Sequence, residues 1–189
     1  MVAIKFATLD DDAARAKAAI AALCSHTSSL THLLAPLDDA QLAIALRNCC
    51  YDDEPVERAL FDGVVDSLGG SPQHVVLYMD ALLRRGIARP SAFVRWLFDG
   101  ACALYGASSL ASSFAPLELL EVGIERALDA VAAARLAMDA GAPGADAAAA
   151  ESLEEARAAC RAAAGELSPL RRSGKAQPLP EAAAFLEDD

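Results

Sequence analysis

The stretch Pro72 to Phe98, PQHVVLYMDALLRRGIARPSAFVRWLF, constrains the fold more than any other part of the chain. Val75, Val76, Met79, Leu82 and Leu83 recur at steps that place them on one side of a helix. Arg84-Arg85-Gly86 then supplies a basic last turn and a glycine stop. Arg89-Pro90-Ser91 restarts the chain, because proline fits the first turn of a helix, and Phe93, Val94, Leu97 and Phe98 form a second apolar stripe. Short helices of this kind are marginal in water by themselves. The two must pack on each other and on further helices, as in helical-repeat scaffolds.

The rest of the chain follows the same grammar. Asp10-Asp11-Asp12 opens a helix over Ala13 to Leu23 with a stripe of Ala16, Ile20 and Leu23. A second helix runs from about Ser28 to Ala35 and stops at Pro36, and Asp38-Asp39 caps a third that carries Leu42, Ile44 and Leu46 and ends near Cys50. Asp52-Asp53-Glu54-Pro55 reads as a cap with proline just inside, followed by Val56, Leu60, Phe61, Val64 and Val65. Gly69-Gly70-Ser71-Pro72 closes that helix. Beyond Phe98 and the small-residue joint Ala107-Ser108-Ser109, the residues Phe114, Leu117, Leu120, Ile124, Leu128 and Val131 mark a long core-facing helix. Gly141-Ala142-Pro143-Gly144 ends it. Ala145 to Ala164 is helical by propensity but has few large apolar residues to bury, so a loosely packed or projecting helix is expected. From Gly165 the signals change to Ser168-Pro169 and Pro178-Leu179-Pro180, and 165–189 reads as a disordered tail. Nothing alternates with period two. The expectation is an all-α architecture, an α-solenoid of antiparallel helix pairs over residues 10–164.

Although 54% of residues are hydrophobic, alanine supplies much of that, and charges interrupt every run before ~18 apolar residues accumulate. The start, MVAIKFATLDDD, lacks the apolar core of a secretion signal. A soluble intracellular protein with no membrane partner is expected. The net charge of −11 disfavours direct binding to a phosphate backbone. Arg84, Arg85, Arg89 and Arg95 are the one local basic cluster in the folded part and read as solvated helix ends.

Catalytic chemistry has little to stand on. The five cysteines, Cys24, Cys49, Cys50, Cys102 and Cys160, are odd in number and lack zinc spacing, and most read as small buried apolar residues in a reducing compartment. Cys49 and Cys50 are adjacent, so on a helix they point about 100° apart and at most one faces any given site. His26, His32 and His74 match no metal or nucleophile pattern and read as capping, core or exposed residues. Neither Gly69-Gly70-Ser71 nor Ser173-Gly174-Lys175 is a phosphate loop, and the acidic runs lack calcium-loop spacing. No catalytic, cofactor-binding or metal-ligating residue is assigned. Trp96, the single tryptophan, sits among Val94, Leu97 and Phe98 and reads as a packing residue, with a partner-facing anchor as the alternative.

Val75, Val76, Leu77, Asp80, Leu82, Leu83 and Arg84, followed by Val94, Trp96, Leu97 and Phe98, carry a resemblance to a known family. An apolar helix ending in a basic residue, a small connector and a helix ending in W-[LI]-F resembles the C-terminal helical-repeat domain of the large subunit of the nuclear cap-binding complex. Cys24-Ser25-His26 with Ser28-Ser29-Leu30 looks like the family's S-H-S helix start, and Leu110 through Leu128 like its following long helix. The resemblance covers roughly Leu23 to Ala134. It implies an ARM/HEAT-type fold similar to the middle domain of initiation factor 4G, and a non-catalytic scaffold in nuclear capped-RNA metabolism. It further implies a protein partner, the cap-binding small subunit, with capped RNA met only indirectly. The family's two earlier helical domains have no counterpart in this sequence, so the resemblance implies a fragment, a partial gene product or a diverged single-domain relative. The alternative is an unrelated helical module for protein–protein interaction or self-association, with no RNA role.

Overall fold

A computed structural model describes residues 11–24, 29–51, 53–101 and 114–172. They form eight α-helices with one 3-10 turn and one π-helical turn, and no strand occurs among the described residues. The all-helical expectation holds, in a form consistent with a generic helical-repeat arrangement. The chain divides into two compact units, Met1–Phe93 and Val94–Asp189.

In the first unit, α1 (Asp12–Cys24) is followed by the short α2 (Leu30–Leu34) and a 3-10 turn over Ala35–Asp38 that contains Pro36. α3 (Ala40–Cys50), α4 (Glu54–Leu68) and α5 (Pro72–Arg84) follow, then the start of α6 (Pro90–Trp96). The starts are set by side chains that accept bonds from otherwise orphaned N–H groups. Ser29 caps α2, Asp39 accepts from the N–H groups of Gln41 and Leu42 at 2.8 and 3.2 Å, and Asp53 accepts from that of Val56. α5 ends as its glycine predicts. Gly86 has φ of +61°, its N–H donates to the carbonyl of Leu83, and the N–H of Ile87 donates to that of Leu82. This pairing is a Schellman close, and Leu82 and Ile87 are both buried beside it.

The most extensive helix pair in this unit is α1 on α4, not the expected hairpin of α5 with α6. Gly63 explains the close approach: a β-carbon there would lie 3.2 Å from the Lys17 carbonyl oxygen and 3.3 Å from its Cα. Ala16, Ala19, Ile20 and Cys24 from α1 are buried, as are Leu60, Phe61, Val64 and Val65 from α4. Phe61 meets Phe93 edge to face, with ring centroids 5.3 Å apart. Removing a large aliphatic or aromatic side chain of this kind from water contributes about 1.5–3 kcal/mol.

In the second unit α6 ends at Trp96, and a π-helical turn, Leu97–Ala101, takes the place of the last helical turn expected up to Phe98. α7 (Phe114–Asp139) and α8 (Ala145–Arg172) fold back on one another, and Gly141 and Gly144, with φ of +67° and +76°, make the reversal. Leu120, Ile124, Ala127, Val131 and Ala134 are buried along α7 at alternating steps of four and three, the seam spacing of paired helices. Across from them α8 buries Ala156, Ala159, Cys160 and Ala163. The loose or projecting helix expected from Ala145 is therefore packed. Alanine has little to bury, but its small side chain lets two helix backbones come close, and dispersion contacts replace bulk. α8 also runs through Ala164 to Arg172, so residues 165–172, read in the sequence as tail, are helical. The joint at 107–109 and residues 173–189 lie outside the described residues.

Candidate functional site

The polar centre of the first unit is Glu57, wholly buried on α4. With Leu60, Phe61 and Val64 it forms an i, i+3, i+4, i+7 set, so helical geometry turns its carboxylate into the core. Arg89, at the head of α6, meets it there. The Arg89 backbone N–H donates to Oε1 at 2.7 Å, Nε donates to Oε1 and Oε2 at 3.3 and 3.1 Å, and Nη2 donates to Oε2 at 2.8 Å. A carboxylate at a helix N-terminus also favours the helix dipole. The arrangement pins α6 to α4, and these carboxylate oxygens are committed to structure. Sequence reasoning missed Glu57, although an acid standing in an apolar helical stripe is itself the signal.

The basic cluster comes apart in the same way. Arg84 is the solvated helix end expected, exposed in the last turn of α5 and paired with Asp80, whereas Arg89 is held by Glu57, and Arg85 pairs with Asp38 and donates to the Ala81 carbonyl. Each finds a carboxylate because this chain carries more acids than bases. Arg47 stacks over the Tyr51 ring at 4.8 Å. Trp96 is only 1% exposed, which makes it a packing residue and not a partner-facing anchor. Val75, Val76, Leu82, Leu83, Val94 and Leu97 are buried, Leu77, Asp80 and Phe98 are half-buried, and Arg84 is exposed.

The described histidines lie in first helical turns, and three of the four described thiols are buried. His32 Nδ1 lies 2.9 Å from Ser29 Oγ in the first turn of α2, His74 is half-buried in the first turn of α5, and His26 lies outside the described residues. Cys24, Cys50 and Cys160 are buried and Cys49 is exposed, the divergence expected of adjacent helical positions. Burial pushes the Cys24 thiol up to about 11 and the Cys50 thiol up to about 12, the latter helped by Cys49, Glu57 and Asp53. Burial raises Cys160 as well. A thiol held protonated is a poor nucleophile. The Tyr78 hydroxyl is buried and makes no hydrogen bond of normal geometry; the weakly polar Cys24 thiol is beside it, and desolvation raises the phenol well above its ordinary range. Lys17 is also raised, by its hydrogen bond to Asp66 at 2.6 Å and that carboxylate's charge. Cys102 lies outside the described residues.

Two clefts remain. One, of about 210 Å³, opens between α1 and α3; Ala16, Ala19, Leu42, Ala45, Leu46 and Cys50 wall it, and the Asp12–Arg15 ion pair stands at its mouth. The other, of about 350 Å³ in the second unit, combines Arg95, Phe98, Asp99 and Arg161. Arg95 and Asp99 already have polar partners, and Arg161 is 3.8 Å from Glu154. Among the described residues no group of three His, Cys, Asp or Glu side chains is placed to hold a metal ion. No helix there is long and apolar enough to cross a membrane. Compared with family models, curated proteins and solved structures, the chain finds no match. The geometry therefore has to carry the function. It offers an apolar recess whose lining also includes the Asp12–Arg15 ion pair.

Proposed function

We propose that this chain is a non-catalytic helical scaffold that binds proteins, its own copies or others, through apolar surface left open between packed helices. The observation that carries the reading is the apolar cleft between α1 and α3, in a chain whose wholly buried acid, Glu57, is committed to Arg89. Catalysis draws on convergent titratable groups with freedom to exchange protons. Recognition draws on apolar recesses with a polar rim. The test is reciprocal isolation: the full chain is used to isolate a partner, the identified partner to isolate the chain, with an unrelated helical protein as control. Recovery in both directions supports the scaffold. Turnover of a small-molecule substrate by the purified chain would overturn it.

A finer reading makes this scaffold an ARM/HEAT-type relative of the cap-binding large subunit's C-terminal domain, acting in the nucleus. It is favoured by the residues of the Val75 to Phe98 segment alone. Its test is a pull-down with the cap-binding small subunit, with and without a cap analogue. Co-purification that is lost on substituting residues of that segment supports the cap role. A well-folded chain that ignores the small subunit removes it and leaves the general scaffold standing.

A further inference from the structure

We infer that the chain associates with further copies of itself head to tail, with Leu136 of one copy seated in the cleft between α1 and α3 of the next. This deepens the scaffold reading and rests on it. Leu136 is 70% exposed, more so than the exposed Ile44 and Met138. Its neighbours one turn back on the same face of α7, Ala132 and Ala133, are exposed and small, and the exposed Asp139 lies one turn on, so that another backbone can approach the leucine from the alanine side. Met138 and Ile44, the other exposed large apolar residues, are placed differently. Met138 lies two residues on, about 200° around the helix. Ile44 is surrounded on its face by Gln41, Arg47 and Asn48.

The receiving cleft is complementary in size and lining. At about 210 Å³ it exceeds the roughly 150 Å³ in which an apolar cavity holds a benzene ring, and so admits a leucine side chain. Its walls are alanine, leucine and cysteine, which a leucine can cover without stranding a polar group. The rims are complementary in charge as well. Asp12 and Arg15 stand at the mouth, and exposed Arg135 and Asp139 flank Leu136 on α7. Seating the leucine brings Arg135 beside Asp12 and Asp139 beside Arg15, which extends the existing Asp12–Arg15 pair into a network of four alternating charges. Because knob and socket are different surfaces, the contact is heterologous and extends into chains or rings. The net charge of −11 opposes the approach of like copies, so association strengthens as salt is added.

Sedimentation velocity of the full chain over rising concentration, at low and high salt, tests this. The average mass rises with concentration, more so at high salt. Leu136→Asp and Ala45→Glu each weaken association by about 10- to 100-fold, the worth of one buried leucine, and Ile44→Ser leaves it unchanged. All three positions are exposed, and unchanged melting curves establish that each variant is folded. The deciding sample is an equimolar mixture of Leu136→Asp with Ala45→Glu, in which one chain keeps its socket and the other its knob. The expected product is a 1:1 dimer that extends no further. A wild-type chain that stays monomeric at high salt, association that survives Leu136→Asp, or a mixture that stays monomeric overturns the inference. A monomer leaves the broader scaffold reading to the reciprocal-isolation experiment.

Discussion

Glu57 and Arg89 show how a single ionic contact can be both costly and indispensable. Taking two charges out of water costs several kcal/mol each, and the interior attraction offsets this only when geometry and hydrogen bonding are good. Here the carboxylate is bonded on both oxygens. Replacing either partner by alanine strands the other, so Glu57→Ala or Arg89→Ala is expected to cost about 3–5 kcal/mol in urea unfolding. Replacing both by methionine is expected to cost less than either alone, a coupling that a double-mutant cycle reads directly. Equal and additive losses would remove the lock. The pair was not legible in the sequence because its members lie 32 positions apart and the bond is made only once α4 and α6 have met. The buried thiols give a second residue-scale expectation. Folded Cys24 and Cys50 ionise near 11 and 12, against about 8.5 for a free thiol. Their raised values stabilise the fold fully below about pH 8.5, and that stabilisation is lost as pH rises through the folded values. Each thiol removes up to about 1.4 kcal/mol per pH unit within that window. Melting temperature is expected to fall steeply between pH 9 and 11, and less steeply in Cys50→Ala.

At the scale of elements, the sequence was most readable where a backbone group needs a particular side chain. Asp39, Asp53, Pro72, Gly86 and Pro90 all mark helix ends that the structure confirms within a residue or two, because capping and glycine stops are local chemistry. Which helices pair was far less readable. The α1–α4 contact turns on Gly63, which in the sequence is one helix-weakening residue among apolar ones; its meaning appears only when Lys17 is found against it. Gly63→Ala sets a helix-propensity gain of about 1 kcal/mol against a methyl group pressed on backbone that cannot swing aside. Gly63→Val adds β-branched bulk for a smaller propensity gain than alanine brings, and is expected to destabilise by about 1–3 kcal/mol in thermal or urea unfolding. A Gly63→Val variant as stable as wild type would mean that α1 rides further from α4 than described. The packing of α8 was misjudged for a related reason. Counting large apolar residues undervalues a helix whose alanines bury themselves by letting a neighbour come close.

For the whole molecule, charge separates the kinds of partner that size and fold leave open. Sixteen basic residues against 27 acidic leave the chain at −11, and Arg84, Arg85 and Arg89 are already engaged with Asp80, Asp38 and Glu57. Nucleic-acid affinity rests on neutralising phosphates, and each engaged arginine would first have to abandon a carboxylate. The chain by itself is therefore expected not to bind a capped oligoribonucleotide in fluorescence anisotropy at about 50 mM salt, where electrostatic binding is strong. Binding that weakens linearly with the logarithm of salt would reveal a phosphate-tracking surface and reverse the assignment. The same field favours partners with basic surfaces: long-range attraction raises their rate of encounter, so their association rates should fall as salt rises while dissociation rates hold nearly constant. Self-association through Leu136 has the opposite salt dependence, since like charges are being screened. A salt titration followed by both sedimentation and association kinetics thus distinguishes a chain that meets its own copies from one that meets a basic partner.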